Sequence, residues 1–316
     1  MKRILIAGAS GFIGKALIDY LLKFDDLELI CLSRSHRNSD NPRVIWKRCD
    51  LFSLKDITES MLGCDQAYYL VHSMLPSASL SQGTFYDFDL IMADNFVRAA
   101  RENRLKHIIY LGGMIPEGEE LTWHLRSRFE VEETFRYSGI PTTSLRAGLI
   151  IGPGGSSFTI LKALIERLPV MICPAWTKTR SQPVALADIV KVLYRSLVDD
   201  KLRGHIFDIG GDQIVTYQDL IVMAAARTQR KSHLITLNII PLAISRFWVT
   251  LITRVPKNLV YPLVLSLRHE MIVKEKFKWP YPEDLKTSLE EALENAMQHL
   301  PKKIDSLFKG HEPGDV

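Results

Sequence analysis

The chain has 316 residues, 47% of them hydrophobic and 24% charged, the balance of an ordinary globular protein. Forty basic residues against 36 acidic ones leave a net charge of +4 with no block of like charge, too little to imply nucleic-acid binding. Cys31, Cys49, Cys64 and Cys173 stand far apart without zinc spacing, so neither a disulfide framework nor a metal centre is expected.

From the N-terminus, strands and helices alternate. Residues 3–8 (RILIAG) are a short apolar run closed by glycine, and residues 15–24 carry apolar side chains at helical spacing. Residues 27–33 (LELICLS) are a second strand, followed by a polar loop; 44–51 are a third strand and 54–62 a helix. A fourth strand is expected over 66–74, a long helix over 86–105 and a fifth strand over 107–113. A helix over 126–139 and a strand within 142–152 complete the series. Serial units of this kind need crossover connections. The prediction is therefore an α/β fold, a doubly wound, mainly parallel Rossmann sheet with helices on both faces.

After Gly152 the alternation weakens. Residues 156–169 and 184–200 read as helices, and 204–211 as a late strand of the same sheet. From 213 onward the chain reads as helix-rich and is punctuated by Pro241, Pro256, Pro262, Pro280 and Pro282. This divides it into a nucleotide-binding domain, 1–212, and a smaller helical C-terminal domain, 213–316, with 153–184 contributing to a substrate pocket. The apolar stretch 234–256 is broken by Asn238, Pro241 and Arg246, short of the ~20 clean apolar residues of a membrane span. It reads as a buried or pocket-lining helix, with contact at a membrane surface as the second reading, and a cytoplasmic protein with no transmembrane segment is expected.

Gly8, Gly11 and Gly14 form GxxGxxG between the first strand and the first helix. The first glycine turns the chain, the second admits a pyrophosphate and the third lets helix and strand pack closely. With Ser10, Phe12 and Ile13 they are expected to hold the phosphates of a dinucleotide at the helix N-terminus. At the end of the second strand an NAD site carries a carboxylate for the ribose 2′-OH, and an NADP site a cation. Here stand Ser33, Arg34 and Ser35 with no acid, so NADP(H) is favoured over NAD(H). Asp50 and Leu51 end the third strand, where a carboxylate can accept from the adenine amino group. Val71, His72 and Ser73 end the fourth, beside the path of the nicotinamide ribose.

These motifs resemble a short-chain dehydrogenase/reductase of the atypical, NmrA-like kind, most similar to a bacterial branch of uncharacterised NAD(P)-binding proteins. The likeness runs through GASGFIG (8–14), CDL (49–51), YLVHSM (69–74), NFVRAAR with Asn95, IIYLGG (108–113) and HLRSRFEVEE (124–133). It continues through LRAGLIIGPG (145–154), QPVALADIV (182–190) and residues 245–271, nearly the whole chain. An extra C-terminal domain that some of that branch carry is expected to be missing. In active members of the superfamily a serine follows the fifth strand and Tyr-x-x-x-Lys opens the next helix. The resemblance implies that Gly112 and Gly113 replace the serine region and that His124 and Arg128 stand at the tyrosine and lysine positions. It also implies backbone contacts to the nicotinamide from Ala147, Gly148, Leu149 and Ile150.

Four residues apart on a helix, His124 and Arg128 share one face. Arg128 could hold the ribose, and its charge would disfavour protonated His124, leaving an imidazole able to protonate a developing alkoxide. The alternatives are ligand contact without proton transfer, and a structural role in which Arg128 pairs with Glu132. Arg146 is expected to anchor an anionic group or a buried carboxylate, and Asp188 to cap or orient a helix. Phe158, Trp176, Phe247 and Trp248 are candidates to line a pocket for an aromatic or apolar ligand. The leading expectation is an NADP(H)-dependent oxidoreductase acting on a carbonyl, enone or quinone-like small molecule. A non-catalytic redox sensor working through a protein partner, and a scaffold in a larger complex, are the other two.

Overall fold

A computed structural model describes residues 1–71, 85–118, 120–155, 158–159, 161, 165, 170–173, 175–227, 233–236 and 267–298. β1 (Lys2–Ala7) leads through the glycine turn into α1 (Phe12–Leu21), followed by β2 (Leu27–Ser33), β3 (Val44–Arg48) and α2 (Leu54–Met61). Then come β4 (Gln66–Tyr69), α3 (Phe85–Glu102), β5 (His107–Gly113), α4 (Trp123–Arg136) and β6 (Thr142–Ala147). Short strands β7 (Ile150–Ile151), β8 (Val170–Cys173), β9 (Arg180–Ser181) and β10 (Val184–Ala185) precede α5 (Leu186–Val198) and β11 (Ile206–Ile209). β12 (Val215–Thr216), α6 (Tyr217–Ala226), β13 (His233–Thr236) and α7 (Leu289–Gln298) follow.

The main sheet has seven strands in the order β3-β2-β1-β4-β5-β6-β11, all parallel. This is the expected doubly wound Rossmann sheet, and its order reverses beside β1, where β4 takes the opposite side from β2. Alternate residues of β1 serve the two faces. Ile4 and Ile6 pack with Leu17 and Leu21 of α1 and Val192 and Leu193 of α5. Leu5 and Ala7 pack with Ile57 of α2, Phe96 of α3 and Phe135 of α4. Tyr69 meets Phe96 and Phe135 edge to face at 5.0 and 4.8 Å, an aromatic block that seats α3 and α4 against the sheet.

The chain after 213 contributes strands as well as helices. β12 pairs with β9 and β13 with β8, stitching the later chain onto residues 170–181, while β10 pairs with β7 within 150–185. Trp279, 4% exposed, enters the main core with Tyr281 and Leu285 packed beside it. Buried Asp188 accepts from the backbone N–H and hydroxyl of Thr287 (2.9 and 2.7 Å) and from Lys191 (2.8 Å). It therefore ties the approach to α7 onto α5 rather than merely orienting its own helix. Phe158, expected to line the pocket, is instead fully buried in a core of Ile151, Leu220, Leu289 and Leu293. The side chain of Trp176, together with Phe247 and Trp248, lies outside the described residues, as does most of 156–169 and 234–256. No helix among the described residues is long and apolar enough to cross a membrane.

Candidate dinucleotide site

Gly8 closes the turn after β1 with φ +88°, and a Cβ there would lie 2.9 Å from the Leu70 carbonyl oxygen at the end of β4. Gly14 is tighter still, since its Cβ would meet the Gly8 oxygen at 2.2 Å. Only glycine fits these two positions. Gly11 caps α1 with its N–H donated to the Gly8 carbonyl (3.0 Å). No side chain caps that helix and its first turn holds no acid, leaving the positive end of the helix open to an anion. Phe12 turns its ring toward Gly152 and Gly155, where an added Cβ would lie 3.2 and 3.1 Å from its tip. Ile13 packs on the main core, and Ser10 is partly buried beside the turn.

At the end of β2, Ser33 is buried and its hydroxyl oxygen accepts from the Ser35 N–H (3.3 Å) and from Arg37 Nε (3.2 Å). The Arg37 guanidinium lies 5.5 Å over the Trp46 ring. Arg34 is exposed and enters no hydrogen bond or ion pair among the described residues. Arg48 stands opposite Ser33 in the β2–β3 register. Neither Arg37 nor Arg48 was singled out from the sequence, although counting the register of two adjacent strands brings Arg48 to this edge. Asp50 accepts from the Phe52 N–H (3.0 Å), and Asn95 donates to the carbonyls of Leu51 (3.2 Å) and Phe52 (3.0 Å), so α3 fixes the loop after β3.

At the other end of the crevice, His72 and Ser73 lie outside the described residues, while the Val71 carbonyl receives Arg128 Nη1 at 3.5 Å. Arg128 is 5% exposed, and its Nη2 stands 3.8 Å from Asp89 Oδ2 without a hydrogen bond among the described residues. Asp89 accepts from Ser127 (2.9 Å). Burial pushes the guanidinium down to about 9, still charged at neutral pH. The alternative pairing of Arg128 with Glu132 is not formed. Glu132 is gripped by Arg146 through two bonds of 2.8 and 2.6 Å, and the Arg146 guanidinium also stands 4.0 Å from Asp208 and over the Phe277 ring. Of the two roles considered for Arg146, the structure has the buried carboxylate.

Gly112 lies beside Arg146 in register, and a Cβ on it would come within 2.7 Å of the Tyr110 ring. Tyr110 is buried and donates to the Arg128 carbonyl (3.2 Å). Its ring fills the space that a side chain at 112 would need. Gly113 has more room, with Arg128 Cγ 3.9 Å from its added Cβ. His124 sits in the first turn of α4, partly buried, and desolvation pushes its imidazole down to about 4. The lowering was expected, but burial produces it rather than the charge of Arg128. Next to His124, Leu125 packs with Met114 and Met271, flanked by Leu121 and Val273. Gly148 borders the same wall, its added Cβ 3.6 Å from both Met114 Sδ and Met271 Cβ. These methionines had no sequence signal. The Ala147 carbonyl accepts from Met114 N–H (3.2 Å) and that of Leu149 from Val184 N–H (3.0 Å), while Ile150 opens β7.

Residues 4–210 match the NAD dependent epimerase/dehydratase family, well over half of the chain. The chain belongs to that family. Auxiliary protein GraX of Staphylococcus aureus is 32% identical over 121 residues, which make up 38% of this chain and 39% of GraX. The match thus spans about two fifths of the curated relative. Among solved structures, a nucleoside-diphosphate-sugar epimerase from Staphylococcus aureus has a TM-score of 0.67 at 14% identity, covering 98% of this chain and 100% of that one. UDP-glucuronic acid 4-epimerase from Bacillus cereus, solved with UDP-glucuronic acid and NAD, has a TM-score of 0.68 at 17% identity, covering 96% and 99%. Epimerase Mth375 from Methanothermobacter thermautotrophicus reaches 0.71 at 12% identity, covering 98% and 92%. At such identities these likenesses establish the fold, and the family agrees with the short-chain dehydrogenase/reductase resemblance of the sequence.

Proposed function

We propose that this epimerase/dehydratase-family chain binds NADP(H) and transfers hydride between it and a carbonyl, enone or quinone-like small molecule, without a tyrosine–lysine pair. The observation that carries this reading is Arg128. A buried guanidinium with one nitrogen unpaired among the described residues and its carboxylate held at 3.8 Å is costly, unless a ligand completes its hydrogen bonds. The hydroxyls of a nicotinamide ribose are such a ligand, and the crevice beside β1 and β4 is where they would run. When bound, the cofactor supplies the hydride chemistry. His124, neutral at pH 7, would donate one N–H to polarise the acceptor oxygen, and the proton that completes the product comes from solvent. NADP(H) is preferred to NAD(H) because the end of β2 offers Ser33 and arginines with no carboxylate.

A second reading is a non-catalytic protein that senses the cofactor's redox state and signals through a partner. It is supported by the loss of both hydroxyl-bearing residues from the site, and by the 32% identity to a protein named as auxiliary. One experiment separates the two. Calorimetric titration with NADPH, NADH and NADP⁺ is followed by single-turnover oxidation of bound NADPH against carbonyl and quinone acceptors. Oxidation that drops in His124→Ala, with cofactor affinity intact, supports the enzyme. Tight binding without oxidation of any acceptor supports the sensor, and failure of every dinucleotide to bind removes both.

A further inference from the structure

We infer that Arg37, not Arg34, is the residue that selects for a phosphate on the 2′-oxygen of the adenosine ribose, with Ser33 as its positioning residue. This rests on the dinucleotide reading proposed above and identifies which side chains make the selection.

Ser33 ends β2, the strand next to β1, so its edge lies beside the glycine turn. Its oxygen accepts from Ser35 N–H and from Arg37 Nε, which uses both lone pairs. The two hydroxyls of Ser33 and Ser35 lie 3.4 Å apart, and either can donate to the other. With Nε bound to Ser33 and its guanidinium carbon 5.5 Å from the Trp46 ring centroid, Arg37 is held by two contacts before any ligand arrives. Its Nη1 and Nη2 make no hydrogen bond among the described residues, leaving a fixed fork of N–H donors of the kind that grips a phosphate at two oxygens.

Charge points the same way. Arg34, Arg37 and Arg48 are exposed, and none forms an ion pair among the described residues. Asp50, at the end of the neighbouring strand, is turned into its own loop by the Phe52 N–H. Three unneutralised cations around one strand end favour a dianion over a ribose hydroxyl. Among the described residues Arg34 has no hydrogen bond or ion pair and Arg48 has only its place in the register, so these two supply charge while Arg37 supplies geometry.

The test is calorimetry on the full chain with 2′,5′-ADP and 5′-ADP as probes, alongside NADPH and NADH. Wild type should bind the 2′-phosphorylated member of each pair more tightly. Arg37→Ala should lower 2′,5′-ADP affinity about 30-fold or more while leaving 5′-ADP within about twofold. Arg37→Lys should recover little of it, because a point charge does not replace a held fork. Arg34→Ala and Arg48→Ala should each lose about three- to fivefold, the loss shrinking as salt is raised. Ser33→Ala should fall between, with its melting temperature compared to wild type to separate positioning from folding. A loss at Arg34→Ala equal to or larger than that at Arg37→Ala overturns this inference while leaving the NADP(H) preference standing. Wild-type protein that binds 5′-ADP and NADH as tightly as their phosphorylated counterparts overturns both.

Discussion

Tyr110 and Gly112 compete for one space. Two residues apart on β5, they share a face of the strand, and the ring of Tyr110 lies where a side chain at 112 would go, 2.7 Å from its Cβ. The tyrosine cannot swing aside, since it is buried among Tyr69 and Phe135 and its hydroxyl holds the Arg128 carbonyl. Gly112→Ser should therefore destabilise the fold by about 1–3 kcal/mol, as overpacked cores do, rather than restore a catalytic hydroxyl. Urea unfolding reads this directly. Combined with Tyr110→Ala, the serine should cost distinctly less than it does alone, because the two substitutions share the same volume. Strictly additive losses would mean that the ring is not the obstacle.

Arg128 should make cofactor binding visible as stability. A ligand present at about 100 times its Kd stabilises the folded state by roughly 2.7 kcal/mol. NADPH should raise the melting temperature of wild type accordingly, and Arg128→Gln should lose most of that rise even though its glycine turn is untouched. The comparison is between the shifts with and without NADPH, which cancels any change in the stability of the free protein. An undiminished shift in the variant would show that the unpaired nitrogen is not a ligand contact.

The sheet was legible because strands buried on both faces are continuous apolar runs. LELICLS coincides with β2 residue for residue and HIIYLGG with β5, and the glycine spacing placed the turn where steric room demands it. Pairing across distance was not legible. The i,i+4 rule offered Arg128 to Glu132, but Glu132 faces β6, where Arg146 reaches it and Arg128 meets Asp89 of α3 instead. That choice follows from which helix face is buried, and no local spacing carries it. Phe158 illustrates the same limit, since an aromatic at helical spacing looks alike whether it lines a pocket or fills the core. The small strands β8 and β13 are four residues each and find their partners far along the chain, too short for alternation to register.

Acid should weaken the fold through two histidines. Burial lowers His107 to about 3, with Gln66 and Thr143 on its two nitrogens, and His124 to about 4. Unfolded, each takes a proton below about 6.5, while the folded state refuses it until much lower pH. The unfolded state therefore binds more protons between about pH 6.5 and the folded value, and stability falls as pH drops through that window. Each histidine contributes roughly 1.4 kcal/mol per pH unit there. The difference in pH slope between wild type and His107→Gln, from denaturant unfolding at pH 4 to 7, isolates one proton. Parallel slopes would mean that His107 titrates alike in both states.

The same low value for His124 predicts the pH behaviour of any hydride transfer. With a pKa of about 4, roughly one imidazole in a thousand is protonated at pH 7, and the neutral form dominates from pH 6 upward. If the neutral N–H polarises the acceptor oxygen, the single-turnover rate of NADPH oxidation should be flat between pH 6 and 8 and change only as pH approaches 5. If the rare imidazolium is the proton donor, the rate should climb about tenfold for each pH unit lowered across that range. The physical preference is for the flat profile, because the burial that keeps His124 neutral also strengthens the hydrogen bond it can give. A unit slope that disappears in His124→Gln would reverse that assignment and make the residue a general acid.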